Sequence, residues 1–361
     1  MKFFIEKHEL EQMLNRLSPF LDKNIDSTYS NFLIEAENEK LTLRATNLKM
    51  GLSVSTNIHI EEDGKILVDG ARLIQIVKSF KNEYISISFQ NGKVVLQQGK
   101  SKFEIKAIRN VDRFIDFPTT EDKSRFRFSS NLIFNGFSKI LPAIDSNSPK
   151  YELTGGLVSI EGEKIYFVGT DTKRLSVVEE KIEGNLEDIE MILPRQAMIE
   201  IPKLFSGDIE FIYNDEFLIV ETSSLFFFTR LISGNYPNWK RILPETYTYQ
   251  LEFGKDEFLE NLKIASVVVP ELKISILKEG IKFETLEEPG LNSKGETFLD
   301  MDILVQEPLI FGVNSRFIRE SLGVIDGDSF FFGFNSPNLP ISIWSENYQT
   351  IIMPIRLEDD D

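Results

Sequence analysis

Hydrophobic and polar positions along this chain follow a layout that occurs three times. Leu67–Phe80 reads as a strand leading into a short amphipathic helix, and Tyr84–Phe89, Lys93–Gln97 and Ser101–Ala107 follow as alternating strands. Ile192–Phe205 has the same form and leads into Ile209–Tyr213, Phe217–Glu221 and Leu225–Leu231. Phe311–Leu322 has it again, before Ser329–Phe334, Ile341–Trp344 and Thr350–Ile355. The copies lie roughly 120 residues apart, a domain-sized period rather than a solenoid one.

A matching half precedes each copy. Met1–Ile5 leads into the helical run Lys7–Phe20, Arg125–Phe128 into Asn131–Ile144, and Tyr249–Phe253 into Lys255–Val268. Leu10, Leu14 and Leu17 form one apolar stripe, and Phe258, Leu262 and Ala265 another. Strands such as Lys40–Ala45 and Lys164–Val168 alternate, so each buries one face, and a helix is expected to cover it. The pattern predicts an α+β chain of three tandem domains, each with two strand-helix-strand repeats and six helices in all. Polar, proline-marked segments at Pro118–Lys123 and Pro244–Tyr247 place the domains at 1–120, 121–245 and 246–361. Pro202 should kink or end the helical run 195–205 near its midpoint.

Composition narrows the chemistry. The chain has no cysteine, which excludes disulfides, thiol catalysis and thiolate metal sites and fits the reducing cytoplasm. Two histidines far apart in sequence, His8 and His59, leave no histidine metal cluster, so no metal and no cofactor is expected. The start, Met1–Glu6, meets charge at once and has no apolar signal core, and no stretch approaches the roughly 20 apolar residues of a membrane span. A net charge of −17 argues against nucleic acid only as a global sum, because local fields decide binding. Asp171 with Asp145 could form the paired carboxylates of a hydrolase. No P-loop, GxSxG elbow or HExxH helix accompanies them, and Asp171 is better placed to cap a turn and hold Arg174. A repeat-built scaffold that binds peptides but not DNA also fits the pattern.

Four segments carry a resemblance: the opening Met1–Phe3, Ala45–Leu48 and its counterpart Val168–Leu175, the linker Arg230–Pro244, and the end Met353–Leu357. In this order, on a threefold repeat from Met1 to Leu357, the chain resembles the bacterial beta sliding clamp family, the processivity subunit of the DNA polymerase III holoenzyme. The resemblance implies the DNA-clamp fold, with outer sheets and inner helices, and a non-enzymatic homodimer closed head to tail around double-stranded DNA, without sequence preference. It implies partners (the polymerase III catalytic subunit, the clamp loader, repair proteins) that dock through short linear peptides.

The resemblance also implies residues. The peptide groove would use Leu153, Thr170, Thr172, Arg174, Leu175, Pro237, Arg241, Ile242, Asn314, Phe317, Pro340, Ile352, Met353, Pro354, Ile355, Arg356 and Leu357. Leu175, Pro237, Ile242, Met353 and Pro354 would form the apolar slot, with Arg174 and Arg241 as forked donors at its rim. DNA contacts would fall on Lys23, Arg72, Asn147 and Tyr151, with Lys150 and Arg195 beside them. Lys7, Arg16, Lys78, Lys139 and Lys203 would be further basic residues on the helices. The edge Gly99–Lys106, with Lys100, Lys102, Phe103 and Ile105, would meet Val267, Val268 and acids such as Glu287, Glu288 and Asp300 of a second copy. Two departures stand out. Thr172 occupies a position that is usually glycine, and Glu358–Asp361 extends the usual Arg-Leu end as an acidic tail beside the groove.

Overall fold

The computed structural model describes residues 1–24, 27–108, 110–286 and 294–357. Glu287, Glu288 and the acidic tail 358–361 lie outside the described residues. The chain forms two compact units, one of Met1–Ser130 with Glu200–Leu231, the other of Asn131–Ile199 with Ile232–Asp361. The fold is α+β, with six α-helices among the described residues: α1 (Lys7–Leu17), α2 (Gly70–Ser79), α3 (Ser130–Ile140), α4 (Arg195–Leu204), α5 (Lys255–Ala265) and α6 (Ser315–Leu322).

The first unit is built on one antiparallel sheet of thirteen strands. Its order runs Ser124–Ser129, Asp208–Tyr213, Phe217–Glu221, Leu225–Arg230, Met50–Asn57, Lys40–Thr46, Asn31–Glu37, Gly64–Asp69, Ser101–Ile108, Lys93–Gln98, Tyr84–Gln90, Lys2–Glu6, Ile60–Glu62. The sheet crosses from the first sequence repeat to the second where Leu225–Arg230 pairs with Met50–Asn57. α1 buries Leu10, Met13, Leu14 and Leu17, the stripe its periodicity announces, and packs against α2, which buries Leu73 and Val77. Asp69 starts α2 by accepting a hydrogen bond from the Arg72 amide at 2.8 Å.

The second unit holds two antiparallel sheets. One orders Gly155–Thr170, Arg174–Pro194, Tyr348–Ile352, Ile341–Ser345, Ser329–Phe334 and Tyr249–Gly254. The other orders Glu296–Asp300, Gly280–Thr285, Glu271–Leu277 and Leu309–Asn314. Gly155–Thr170 and Arg174–Pro194 make a long hairpin, with register shifts between Ile160 and Lys164 that keep one apolar face inward. α5 lays Phe258 against Phe283 at 5.1 Å and Phe330 at 5.2 Å, an anchor whose full burial stabilises by about 1.5–3 kcal/mol.

Two expectations change. α4 does not end at its midpoint: Pro202 sits in the last turn, the helix runs to Leu204, and the Phe205 amide still reaches the Ile201 carbonyl at 3.1 Å. The C-terminal strand stops at Ile352 and lies inside its sheet, paired on both sides. Beyond it the Met353 amide still donates to the Lys173 carbonyl at 2.8 Å, and Ile355 bridges Gly312 of the other sheet.

Candidate functional site

The turn between the two long hairpin strands is held by its own side chains. Thr170 Oγ1 donates to the Arg174 carbonyl at 2.6 Å and accepts from the Thr172 amide at 3.1 Å. Asp171 Oδ1 accepts from the Lys173 and Arg174 amides, both at 3.0 Å. The counterpart in the first unit repeats this bond for bond. Thr46 Oγ1 donates to the Met50 carbonyl at 2.8 Å, and Asn47 Oδ1 accepts from the Lys49 and Met50 amides at 3.0 and 2.9 Å. Thr172 and Leu48 occupy the same left-handed corner, with φ of 73° and 71°. That conformation costs a side-chain-bearing residue about 1–2 kcal/mol, which is why glycine suits it.

Beside this turn lies a cavity of about 320 Å³, lined by Lys150, Leu153, Thr170, Thr172, Arg174, Leu175, Tyr236, Pro237, Trp239, Ile242, Ile351 and Met353. Its floor is the hydrophobic cluster of Val168, Leu175, Trp239 and Ile351, on which Tyr236 packs. Leu175 and Ile351 are register partners across the sheet. Tyr236 donates to the Val168 carbonyl at 3.2 Å, and burial pushes its phenol well above the usual value, so it stays a neutral wall. Met353 is 46% exposed at the mouth. A slot of this kind accepts an aliphatic or aromatic side chain and has no nucleophile poised against a base.

The structure therefore assembles Leu153, Thr170, Thr172, Arg174, Leu175, Pro237, Ile242 and Met353 around one cavity, and the other expected groove residues are not in its lining. Arg174 is not a free rim donor. Its guanidinium is buried, donates Nε to Asp171 at 3.1 Å and bonds the Pro142 carbonyl; it also pairs with Glu320 at 2.7 Å and lies 4.6 Å from the Phe317 ring centroid. Phe317 is thus a support beneath Arg174. Glu320 is the third member: burial alone would raise its carboxyl, but hydrogen bonds from Arg316 and Arg174 outweigh that and hold it below the usual range. Asn314 caps α6, accepting from the Arg316 amide at 3.0 Å. Ile352 is fully buried on the opposite face from Ile351 and Met353, because successive strand residues point opposite ways. Arg241, Pro340, Pro354, Ile355, Arg356 and Leu357 do not line this cavity. Sequence reasoning missed Tyr236, Trp239 and Ile351. The first two sit in the linker that carried the resemblance, and period-two spacing from Met353 points to the third.

Asp145 accepts from the Asn147 amide at 2.9 Å, and Asp171 is spent on its own turn. Lys23 and Arg72 are exposed in the first unit, and Asn147 and Tyr151 in the second, where Arg195 is half-buried. Lys150 lines the cavity. Lys139 is buried against Asp326 at 3.2 Å, and Lys7 is paired with Glu11, which takes both off a free basic face. Along Ser101–Ile108, Phe103 is 39% exposed while Ile105, at 3%, packs into the core with Val94 as its register partner. Ile105 thus lies on the edge strand with its side chain turned into the core.

The chain matches the family model of the DNA polymerase III beta subunit N-terminal domain over residues 1–118 and that of its central domain over residues 128–238. It is 32% identical to the beta sliding clamp of Helicobacter pylori strain J99, over 99% of this chain and 100% of that one. The chain belongs to the beta sliding clamp family. The Helicobacter pylori beta clamp bound to a DNA ligase peptide superposes with a TM-score of 0.90 at 30% identity, covering 99% of this chain and all of that one. The Bacillus subtilis DNA polymerase sliding clamp shares the fold, with a TM-score of 0.91 at 19% identity. In beta-clamp terms, the Thr170–Arg174 turn and the Arg230–Pro244 linker meet at one apolar slot.

Proposed function

We propose that this chain is a non-catalytic processivity factor: two copies close head to tail around double-stranded DNA, and replication and repair proteins dock on it through short peptides. The observation that carries the reading is the slot formed by Leu175, Tyr236, Pro237, Trp239, Ile351 and Met353, joined to the repeated fold. A DNA ligase peptide is bound by the Helicobacter pylori relative, and the slot here has the size and apolar lining for one Leu or Phe anchor of such a peptide. The polymerase III catalytic subunit and the clamp loader are the further partners of this reading.

Ring closure is supported by two exposed ends. Ser101–Lys106 carries ladder bonds only on the Lys93–Gln98 side, and it presents Phe103 with Lys102. Lys100 is exposed beside it. Val267, 81% exposed, Val268 and the edge strand Glu296–Asp300 with Phe298 offer apolar and acidic counterparts. An apolar centre with flanking opposite charges favours a specific antiparallel register. The domain division 1–120, 121–245 and 246–361 belongs to this reading, as do loose DNA contacts from Lys23, Arg72, Asn147, Tyr151 and Arg195, which position without reading sequence. The cysteine-free composition fits a cytoplasmic setting. Sedimentation should give the mass of two chains, and protein loaded on nicked circular DNA should be retained until the circle is cut. A one-chain particle that never stays on circles would refute the proposal.

A further inference from the structure

Next to the slot lies a second, larger cavity of about 840 Å³. Tyr166, Val177, Leu243 and Tyr348 line it from the hairpin, the linker and the C-terminal strand, and Trp239 lines both it and the slot. One wall is an aromatic stack. Tyr247 lies 4.9 Å from Trp344 at an interplanar angle of 16°, and Trp344 lies 5.6 Å from Phe331 at 19°. Gly333 makes room for it: a Cβ there would meet Tyr247 at 2.5 Å and Trp344 at 2.8 Å. Gln349 pins Tyr247 by donating to its hydroxyl at 2.8 Å.

The charged lining is acidic. Glu179, Glu245 and Glu346 border the cavity. Lys164 pairs with Glu179 at 2.5 Å, whereas Glu245 and Glu346 are exposed and have no ion-pair partner among the described residues. The nearby cation, Lys240, lies over the Tyr166 and Trp239 rings and is tied to Glu161. Unpaired carboxylates beside flat aromatic faces suit a guanidinium or ammonium group, which gains from both.

The same place in the first unit shows that this charge is not a by-product of the fold. The register Val177–Gln349 corresponds there to Ser53–Phe226. The cavity at Ser53 and Phe226 is lined by Lys40 and Arg44, one acid, Asp116, and the hydroxyls of Thr42, Ser55 and Thr222.

We propose that the cleft beyond Trp239 is an extension of the peptide slot that receives a basic flank, an Arg or Lys, of the same partner peptide whose apolar anchor fills the slot. This rests on the peptide-docking reading above. It commits to one occupant because the cleft adjoins the slot, the two sharing Trp239 in their linings, and its free charges are both negative. Surface repulsion of acidic flanks follows from the same geometry.

The test uses the full chain and three labelled peptides with a Leu-Phe anchor: the plain peptide, and versions extended by Arg-Lys at the N- or the C-terminal side. Fluorescence anisotropy at fixed salt should show one extension binding about tenfold tighter than the plain peptide. The Glu245→Gln, Glu346→Gln double variant should lose that gain and keep plain-peptide affinity. The Glu163→Gln, Glu187→Gln double variant, with the same charge change at two exposed residues that do not line the cleft, should keep the gain. Both tryptophans line the cleft, so the extended peptide should also shield their emission from acrylamide more than the plain one does. The proposal is overturned if neither extension gains more than twofold, or if the gain survives in the Glu245, Glu346 variant. Failure of the plain peptide to bind at all would instead sink the docking reading, and this inference with it.

Discussion

Gly51 and Phe228 are register partners across two antiparallel strands, and a Cβ on Gly51 would lie 2.3 Å from Phe228 Cε1. Their counterparts in the second unit are Leu175 and Ile351, which floor the slot. In the first unit the equivalent space is taken by Phe228, with Phe117 at 4.8 Å against it. One sheet junction is plugged with aromatic rings and the other is left open, so the chain carries the slot at one of two equivalent places. Gly51→Ala should destabilise the protein by about 1–3 kcal/mol, because the Phe228 and Phe117 rings leave no room for a Cβ. Urea unfolding measures it, and an unchanged midpoint would show that the plug is loose.

Arg174 belongs to the framework. Arg174→Ala leaves Asp171 and Glu320 without their shared cation and is expected to cost about 3–5 kcal/mol, as for a broken buried ion pair. Arg241→Ala, at an exposed residue, should leave the urea midpoint unchanged.

The pH dependence follows from Glu320, whose carboxyl is held below its ordinary value of 4.5. A depressed carboxylate contributes stability that is present above the ordinary value and lost as pH falls through the folded one. The urea midpoint should therefore drop as pH is lowered below about 4.5, and Glu320→Gln should flatten that part of the curve. An identical acid limb in the two proteins would show that Glu320 contributes nothing there.

Ile352, at the end of the last strand, and Met353, just beyond it, should separate affinity from stability. Met353→Ala should weaken binding of an apolar-anchor peptide at least tenfold, about 1.4 kcal/mol, and move stability by less than about 0.5 kcal/mol. Ile352→Ala should cost about 2–5 kcal/mol of stability from its buried face. Titration calorimetry and urea unfolding on both variants would expose a reversal.

Phe103→Asp should convert the two-chain particle into single chains at micromolar concentration, read by sedimentation. Phe103 also packs on Phe80 at 5.4 Å, so Lys102→Glu, at an exposed position, is the companion. It should weaken association with the fold intact. Two-chain mass in both variants would move the contact elsewhere.

Thr172→Gly should raise stability by up to about 1 kcal/mol. Relief of the left-handed corner, about 1–2 kcal/mol, is partly offset by the greater freedom of glycine in the unfolded chain. A lower thermal midpoint would mean that the threonine side chain makes up the difference.

Much of this protein is local and so legible in one dimension. The stripe Leu10, Leu14, Leu17, the alternation through Lys93–Gln97, and the Thr-Asp and Thr-Asn turns are set by backbone sterics, side-chain direction and hydrogen bonds within a few residues. The repeated layout follows from them, and with it the α+β fold, whereas the position of the slot came from the resemblance carried by Val168–Leu175, Arg230–Pro244 and Met353–Leu357.

Tertiary structure decided what depends on partners distant in sequence. Arg174 reads as a free rim donor until Glu320 and the Pro142 carbonyl close around it. Ile352 and Ile351 are chemically identical, and only the pairing of their strand with Arg174–Pro194 assigns one to the core and the other to the slot. Whether a junction is open or filled turns on Phe228 and Phe117 arriving at Gly51. Periodicity specifies that a side chain is buried, but what it is buried against is a property of the folded chain, because burial energy carries no address.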